Sequence, residues 1–441
     1  MSQPTWPRAS HSDANPLLLP GRQPRPTPAA EKPGSTRHRE PPVSPSLPPI
    51  IAFSHLSWNW VWQRPQQFLS RFARQQRLLF VETYCSDVPA TRIDLVPVAG
   101  HPNVTLAQMH LPSARWSDGA FIDAERRRAL KATLGTSLRG RFERPLLWFY
   151  DPMAVVAFAG HLHERAIVYD CMDELSQFRG APPELLLRER LLLEAADVVF
   201  CGGQKMRRRR LPVNPNTHFF GTGVDCDHFG AALDPSLTLA PEVAALGAAP
   251  VLGYFGVIDE RIDYELLAAL ADARDDWHVV MIGPHAKVDP ATFPRRPNLH
   301  WIGPRDYAQL PALTKGFSVA LMPFALNAAT EYINPTKALE YIAAGRPVVS
   351  TALDEVRLNF GRVARIASSR AEFIALCAAE VASPSRARIA RGRKLAADNT
   401  WDAIAARMQA LIEPVLAAED ATAAATDQTL PTSALPNLAY V

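Results

Sequence analysis

The sequence predicts an α/β chain of two doubly wound, Rossmann-like domains facing each other across a cleft. Three observations lead there. Short apolar runs of strand length alternate with amphipathic helical stretches, the pattern of a parallel sheet covered on both faces. The alternation pauses between about residues 230 and 248, where Ala, Pro and Gly are frequent, and then resumes. In the second half each apolar run stops on Gly or Pro, as parallel strands do where ligand loops leave their C-terminal ends. A chain of 441 residues is also too long for one core, so two domains of roughly 180 residues are expected.

In chain order, residues 1–49 hold 13 of the 40 prolines and no periodic apolar positions, so this segment reads as a disordered tail. Its arginines, Arg8, Arg22, Arg25, Arg37 and Arg39, either are solvated or touch anionic lipid. The first domain spans 50–235. Ile50 to Phe53 is a strand; a loop with Trp58, Trp60 and Trp62 leads to a helix with Phe68, Leu69 and Phe72 on one face, then to a strand from Leu78 to Val81. One more strand is expected between Val88 and Val104, and others at 146–150, 166–169, 198–201 and 217–220, with a helix over 183–196. Segments 86–95 and 113–129 read as specificity loops.

The second domain, 236–400, repeats the plan with strands at 251–255, 277–282, 299–302, 319–322, 347–350 and 363–366. A closing helix over 401–418 presents Trp401, Ile404, Met408, Leu411 and Ile412 on one face, and 419–441 reads as a loose tail.

Formal net charge is +3, from 47 basic and 44 acidic residues, too balanced for a nucleic-acid partner. The five cysteines are far apart and mostly in apolar runs, which suits buried thiols in a reducing compartment. No apolar run approaches the roughly 20 residues that span a bilayer, and the N-terminus lacks an apolar signal core. The expected compartment is the cytoplasm, including peripheral contact with the inner face of a membrane.

The chemistry concentrates at strand ends. No Gly-x-Gly-x-x-Gly follows a strand and no Gly-Lys-Ser/Thr occurs, which argues against dinucleotide enzymes and P-loop ATPases. Lys337 and Glu340 lie one helical turn apart, after Asn334-Pro335 and before Gly345. That charged pair and the helix NH groups suit an anionic ligand in a cleft, although a mutual salt bridge also explains the spacing. Asn334 is expected to cap the helix. Gly256 and Gly283 end two strands and permit close approach of a diphosphate, which Arg261 can grip bidentately unless it is spent on Asp259 or Asp263.

In the first domain, Asp151, Asp170 and Asp173 follow apolar strands, with His55 and Arg64 after the first. They suit positioning of an acceptor hydroxyl, or capping and solvated turns. His161 and His163, at i and i+2 on an expected helix, diverge and do not make a metal pair. No essential metal is expected. The tryptophan alternation suits stacking on a sugar, contact with lipid, or packing at the cleft rim.

These residues resemble the two-domain retaining glycosyltransferases of the GT-B fold, in the GT4-like group and its bacterial polysaccharide-related branch. The marks are His55-Leu-Ser-Trp58 with Gln63-Arg64-Pro65-Gln66, Tyr169-Asp-x-x-Asp173, and Lys337-x-x-Glu340-Tyr-x-Ala-x-Gly345-x-Pro347-Val-Val, over about residues 50 to 415. The resemblance implies transfer of a sugar from a UDP-, GDP- or TDP-sugar to a hydroxyl of a glycan or lipid-linked acceptor, with retention and without a required cofactor. In that group two glutamates with seven residues between them contact the donor. Glu340 matches the second; Tyr332 stands at the first, with Glu331 and Asn334 beside it. Val257 stands where an arginine is usual, leaving Arg261 and Lys337 for the diphosphate. His55, Asp151, Asp173 and Glu340 are the residues expected to carry catalysis, and Gly256, Arg261, Gly283, Tyr332, Asn334, Lys337 and Glu340 those expected to hold the donor. An epimerase or phosphorylase of similar architecture, or a non-catalytic partner in polysaccharide assembly, are the other readings.

Overall fold

The computed structural model describes residues 47–428 apart from 61, 178–179 and 328–329, and for 422–428 the backbone alone. The tail expected at 1–49 therefore lies almost wholly outside the described residues, as does 429–441 of the other.

The first domain contains β1 (Ile50–Ser54), β2 (Leu78–Ser86), β3 (Arg92–Val98), β4 (His101–Pro112), β5 (Leu146–Phe149), β6 (Ala166–Cys171), β7 (Val198–Cys201) and β8 (Thr217–Phe219). Among the described residues they form one sheet in the order β3-β4-β2-β1-β5-β6-β7-β8, parallel except for β3 against β4. The single strand expected between Val88 and Val104 is instead a hairpin. Ala99 and Gly100, the latter at φ +75°, make its two-residue turn. Pro97 and Pro102 sit where an edge tolerates a missing NH. Segment 86–95 accordingly holds the end of β2, a five-residue connection and the start of β3.

Helices α1 (Arg64–Phe72), α2 (Gly119–Gly135), α3 (Val155–Phe158), α4 (Leu185–Ala195) and α5 (Gln204–Arg210) complete this domain. Segment 113–129, read as a loop, is a short turn and then most of α2, whose first NH groups Asp118 caps. Phe68, Leu69 and Phe72 of α1 pack on one sheet face, while Leu130, Phe158, Leu192 and Met206 pack on the other.

The supposed linker is folded. Just before it α6 (Cys226–Gly230) buries Phe229 in the second core, and within it α7 (Pro241–Ala244) buries Val243 there. There, β9 (Val251–Phe255), α8 (Tyr264–Ala273), β10 (His278–Ile282), β11 (Leu299–Gly303), α9 (Leu310–Thr314), β12 (Val319–Met322), α10 (Lys337–Ala343), β13 (Val348–Thr351), α11 (Asp354–Phe360), β14 (Arg365–Ala367), α12 (Arg370–Ala382) and α13 (Arg386–Ala397) follow. The parallel sheet runs β11-β10-β9-β12-β13-β14.

The last helix, α14 (Trp401–Gln428), continues ten residues past the expected end at 418. It returns to the first domain, where Trp401, Ile404, Met408 and Ile412 join the core with α1, and Asp402 pairs with Arg71 and Arg74. The chain thus passes between the domains twice. In each sheet the strand order reverses once, between β1 and β5 and between β9 and β12, and loops diverge there to leave a crevice. The loops after β1, β5, β9 and β12 carry His55, Asp151, Gly256 and Asn334 respectively.

Candidate functional site

The second domain supplies a cradle built from backbone. Gly256 and Gly283 sit at φ +142° and +144°, a region that side chains avoid. A Cβ placed on Gly283 would fall 1.9 Å from the Gly256 carbonyl oxygen, and one on Gly256 would fall 1.8 Å from Lys337 Cε and 2.6 Å from its Nζ. Gly283 is therefore required by backbone contact as well as by conformation, whereas Gly256 is required by conformation and a Cβ there would displace the end of the Lys337 side chain. Helix α10 is fixed over them by Tyr341, whose hydroxyl accepts from the Phe255 NH at 2.9 Å, and by the buried Ala338, Leu339 and Ile342. Lys337 Nζ lies 5.8 Å from the centroid of the Tyr254 ring.

Lys337 and Glu340 form no direct hydrogen bond or ion pair among the described residues, so the mutual salt bridge is not realised. Both are half-buried. Burial lowers the Lys337 pKa against the opposing attraction of Glu340, and raises Glu340 to about 7 despite Lys337. Two groups so placed are poorly solvated in their charged forms and have unused hydrogen-bonding capacity.

Arg261 does meet Asp259, which accepts from Nε at 2.9 Å and from Nη2 at 2.6 Å. Burial works against its charge, but Asp259 outweighs it and the guanidinium stays protonated. Nη1 has no partner among the described residues. The bland alternative thus holds in part, and Asp259 acts as the brace that aims the arginine.

Across from this cradle stands Asp173, two residues beyond β6. Its carboxylate has no direct hydrogen bond or ion pair among the described residues. Burial raises its pKa, and His55, Arg261 and Arg64 pull it back. Arg261 belongs to the other domain, so this coupling spans the cleft. His55 Nδ1 lies 3.2 Å from the Tyr150 carbonyl, and as the donor there it leaves Nε2 as the acceptor.

The remaining acids are already paired. Asp170 is buried with Arg64, at 2.7 Å, and Arg64 also donates to the carbonyls of Phe220 and Gly221. Asp151, expected among the catalytic residues, accepts from the Met153 NH at 2.9 Å and pairs with Arg126 at 3.4 Å. It caps the short turn after β5, and its two oxygens are already engaged.

Two expected donor residues lie elsewhere. Asn334 does not cap α10: its Nδ2 donates to the Gly202 carbonyl of the first domain at 3.0 Å, and its Oδ1 accepts from Asn359. Tyr332 points away from the cradle; its hydroxyl accepts from Arg209 of α5 at 2.9 Å. They belong to a seam between the domains that sequence reasoning missed. Its centre is Glu355 of α11, fully buried, whose carboxylate accepts from the NH groups of Gln204 and Lys205 at 3.0 and 2.7 Å. Lys205 Nζ completes the seam against Asp354 at 2.6 Å. No local pattern marks Glu355, because the groups it caps lie some 150 residues earlier.

Also unforeseen is a cavity of about 310 Å³ beside the cradle, lined by Gly283, His285, Phe293, Trp301 and Gly303 among others. Tyr307 stacks on His228 at 4.0 Å, and its phenol pKa is raised by burial and by the nearby Glu340. The strand-end glycines were visible in the sequence; the aromatics brought over them were not.

The tryptophans do not alternate along a strand. Trp58 is buried against Phe80, and Trp62 stacks on His101 in a turn. His161 and His163 follow the end of α3 instead of lying on a helix, and His163 has φ +55°. Cys85, Cys171, Cys201, Cys226 and Cys377 are free thiols. Among the described residues no group of three or more His, Cys, Asp and Glu could hold a metal, and no helix is long and apolar enough to cross a membrane.

Residues 249–377 match the family described as glycosyl transferases group 1. The Bacillus subtilis (strain 168) protein TuaH, named as a glycosyltransferase of teichuronic acid biosynthesis, is 26% identical over 258 residues, covering 53% of this chain and 63% of TuaH. The match thus spans somewhat under two thirds of that relative. Among solved structures, an α,α-trehalose-phosphate synthase (UDP-forming) from Burkholderia vietnamiensis superposes with a TM-score of 0.65 at 14% identity, covering 84% of this chain and 98% of the other. HepE of Anabaena, in complex with UDP, gives 0.58 at 12% identity over 83% and 100%. The fold is GT-B: two Rossmann-like parallel-sheet domains, as expected from the sequence.

Proposed function

We propose that the chain is a retaining glycosyltransferase that moves a sugar from a nucleoside-diphosphate donor to a hydroxyl of a glycan or lipid-linked acceptor, in the synthesis of a bacterial surface polysaccharide. The observation that carries this is the pairing of two unpartnered groups, Lys337 and Glu340, over a glycine cradle, with the unpartnered Asp173 on the other wall of the cleft. Matches to a transferase family, to a relative named for a wall polymer and to structures described with UDP support the same reading.

In this scheme the diphosphate lies on Gly256 and Gly283, with its charge met by Lys337 Nζ and the free side of Arg261. These cations stabilise the charge that develops as the sugar departs. Glu340 accepts from hydroxyls of the donor, the ribose being nearest to Tyr307, and the base enters the cavity under Phe293 and Trp301. His55, through Nε2, and Asp173 orient the acceptor hydroxyl. The acceptor oxygen bonds to the anomeric carbon on the face that the diphosphate leaves, the bond to that phosphate oxygen breaks, and the same oxygen takes the acceptor's proton. This gives retention without a protein nucleophile. UDP is the favoured carrier.

Calorimetry with UDP, GDP, TDP and ADP on the wild type, Lys337→Ala and Glu340→Ala, all in EDTA, tests the donor site. One nucleotide should bind, and both substitutions should weaken it. A folded protein that binds none of the four would instead support a non-catalytic partner in assembly.

A further inference from the structure

Helices α2, α3, α4 and α5 cover one face of the first sheet, and their outer surface is unusual in two respects. On α4, Leu186, Leu187 and Leu191 are 61%, 63% and 41% exposed, and Val156 of the adjacent α3 is 39% exposed. The spacing explains this: Leu185, Leu192 and Leu193 fill the core, Arg188 turns to Asp123 of α2 and Glu189 to Arg210 of α5, so the other leucines of the run can only face outward. An ordinary surface helix carries polar residues there.

The second respect is charge. Together α2, α4 and α5 hold eleven basic and four acidic residues, leaving 36 and 40 of the chain's 47 and 44 for everything else. Of the eleven, Arg126 and Arg210 are buried, Arg188 pairs with Asp123, and Lys205 and Arg209 turn to the seam, so the outward excess rests on cations such as Arg127, Lys131 and Arg208. Lys131 of α2 and Arg208 of α5 are exposed and have no acidic partner among the described residues. Among the described residues Arg127 is bonded only to the carbonyls of Val156 and Ala157, which leaves its charge uncompensated beside the apolar patch.

From this juxtaposition of an outward leucine face with uncompensated cations we infer that the α2–α5 face of the first domain docks on an anionic lipid bilayer surface. Leucines that enter the headgroup boundary gain by burial, and arginines and lysines gain from anionic lipid within a Debye length. A soluble acidic protein would satisfy the charges but would not call for three exposed leucines beside them. The inference goes beyond the transfer reaction. It is consistent with a lipid-linked acceptor, because the first turn of α4 lies just past the loop from β6, which carries Asp173.

The test is flotation of the full-length protein with phosphatidylcholine vesicles and with vesicles containing roughly a third phosphatidylglycerol. The wild type should float only with the anionic vesicles, and less as salt is raised. Leu186→Ser/Leu187→Ser/Leu191→Ser should weaken binding by about tenfold or more. Lys131→Gln/Arg208→Gln, chosen to keep the leucines intact, should lower binding by roughly fivefold and reduce its salt dependence. Melting curves and UDP titration check that each variant is folded. Absence of flotation at low salt overturns the inference. So does a leucine variant that floats like the wild type, since the tail arginines would then be the anchor. A concentration-dependent dimer in sedimentation that the leucine variant dissolves would overturn it in favour of a second copy on this face.

Discussion

Replacing Glu340 with glutamine should make the protein more stable and a poorer binder of nucleotide at once. Burial raises this carboxyl from 4.5 to about 7, against the pull of Lys337. A carboxyl whose folded pKa exceeds its unfolded one binds more protons when folded. Its contribution to stability is therefore complete below about pH 4.5 and is lost as pH rises through about 7. The full displacement corresponds to up to about 3 kcal/mol, and partial exposure of the group makes about 2 kcal/mol the more realistic figure. Glutamine approximates the protonated form at every pH. Urea unfolding of Glu340→Gln should match the wild type at about pH 4.5 and exceed it by about 2 kcal/mol at about pH 8, the gap opening between those limits. At about pH 8, affinity for UDP should be roughly tenfold weaker than the wild type's, since a neutral amide accepts more weakly from ribose hydroxyls than a carboxylate, and this difference should shrink towards about pH 4.5, where the wild-type carboxyl is itself neutral. A variant whose stability runs parallel to the wild type across pH, or lies below it at pH 8, would refute the claim that Glu340 is held in an unfavourable ionised state for a ligand.

Gly256→Ala should leave the fold in place, lower stability by about 1–3 kcal/mol through its backbone conformation, and weaken UDP binding more than tenfold by displacing Lys337; calorimetry and melting curves read both. Glu355→Ala removes the acceptor for two NH groups at the seam and should cost about 2–4 kcal/mol in urea unfolding, with Glu355→Gln losing less. Asp173→Asn should cut turnover more than tenfold with UDP affinity nearly unchanged. Asp151→Asn should change stability by about 1 kcal/mol and turnover little. Equal turnover losses in the last two would place Asp151 back in the acceptor site.

The sequence was informative wherever a feature is local. Strands such as Val251 to Phe255 are continuous apolar runs because both faces of a parallel sheet are covered, and the Lys337/Glu340 spacing follows from one helical turn. The β3–β4 hairpin was harder to see, since Pro97 and Pro102 interrupt strands that tolerate them only at an edge. The supposed linker failed for a related reason: its alanines and prolines resemble a connection, while Phe229 just before it and Val243 within it anchor it in the core. Among the described residues, the candidates for the site divide by pairing. Lys337, Glu340 and Asp173 have no local mate, whereas Asp151 has Arg126 and Asp170 has Arg64. Pairing between distant segments decides that, and pairing is what a single sequence shows least.

The departure at Tyr332 gains a physical meaning from the same accounting. Tyr332, Asn334 and Lys337 were all expected at the donor. They divide instead. Tyr332 and Asn334 bond to Arg209 and to the Gly202 carbonyl in the first domain, while Lys337, three residues on, turns over Gly256. Since Pro335 and the buried face of α10 leave little slack between them, a shift of the seam must move Lys337 relative to its cradle. The seam joins at Gln204 and Lys205 through Glu355, and Asn359 donates to both Glu355 and Asn334. One continuous set of hydrogen bonds therefore runs from the start of α5 to the root of the donor helix. Loosening Glu355 should for that reason weaken nucleotide binding even though Glu355 never meets the nucleotide, and the loss should shrink when the conservative Glu355→Gln is used in place of alanine.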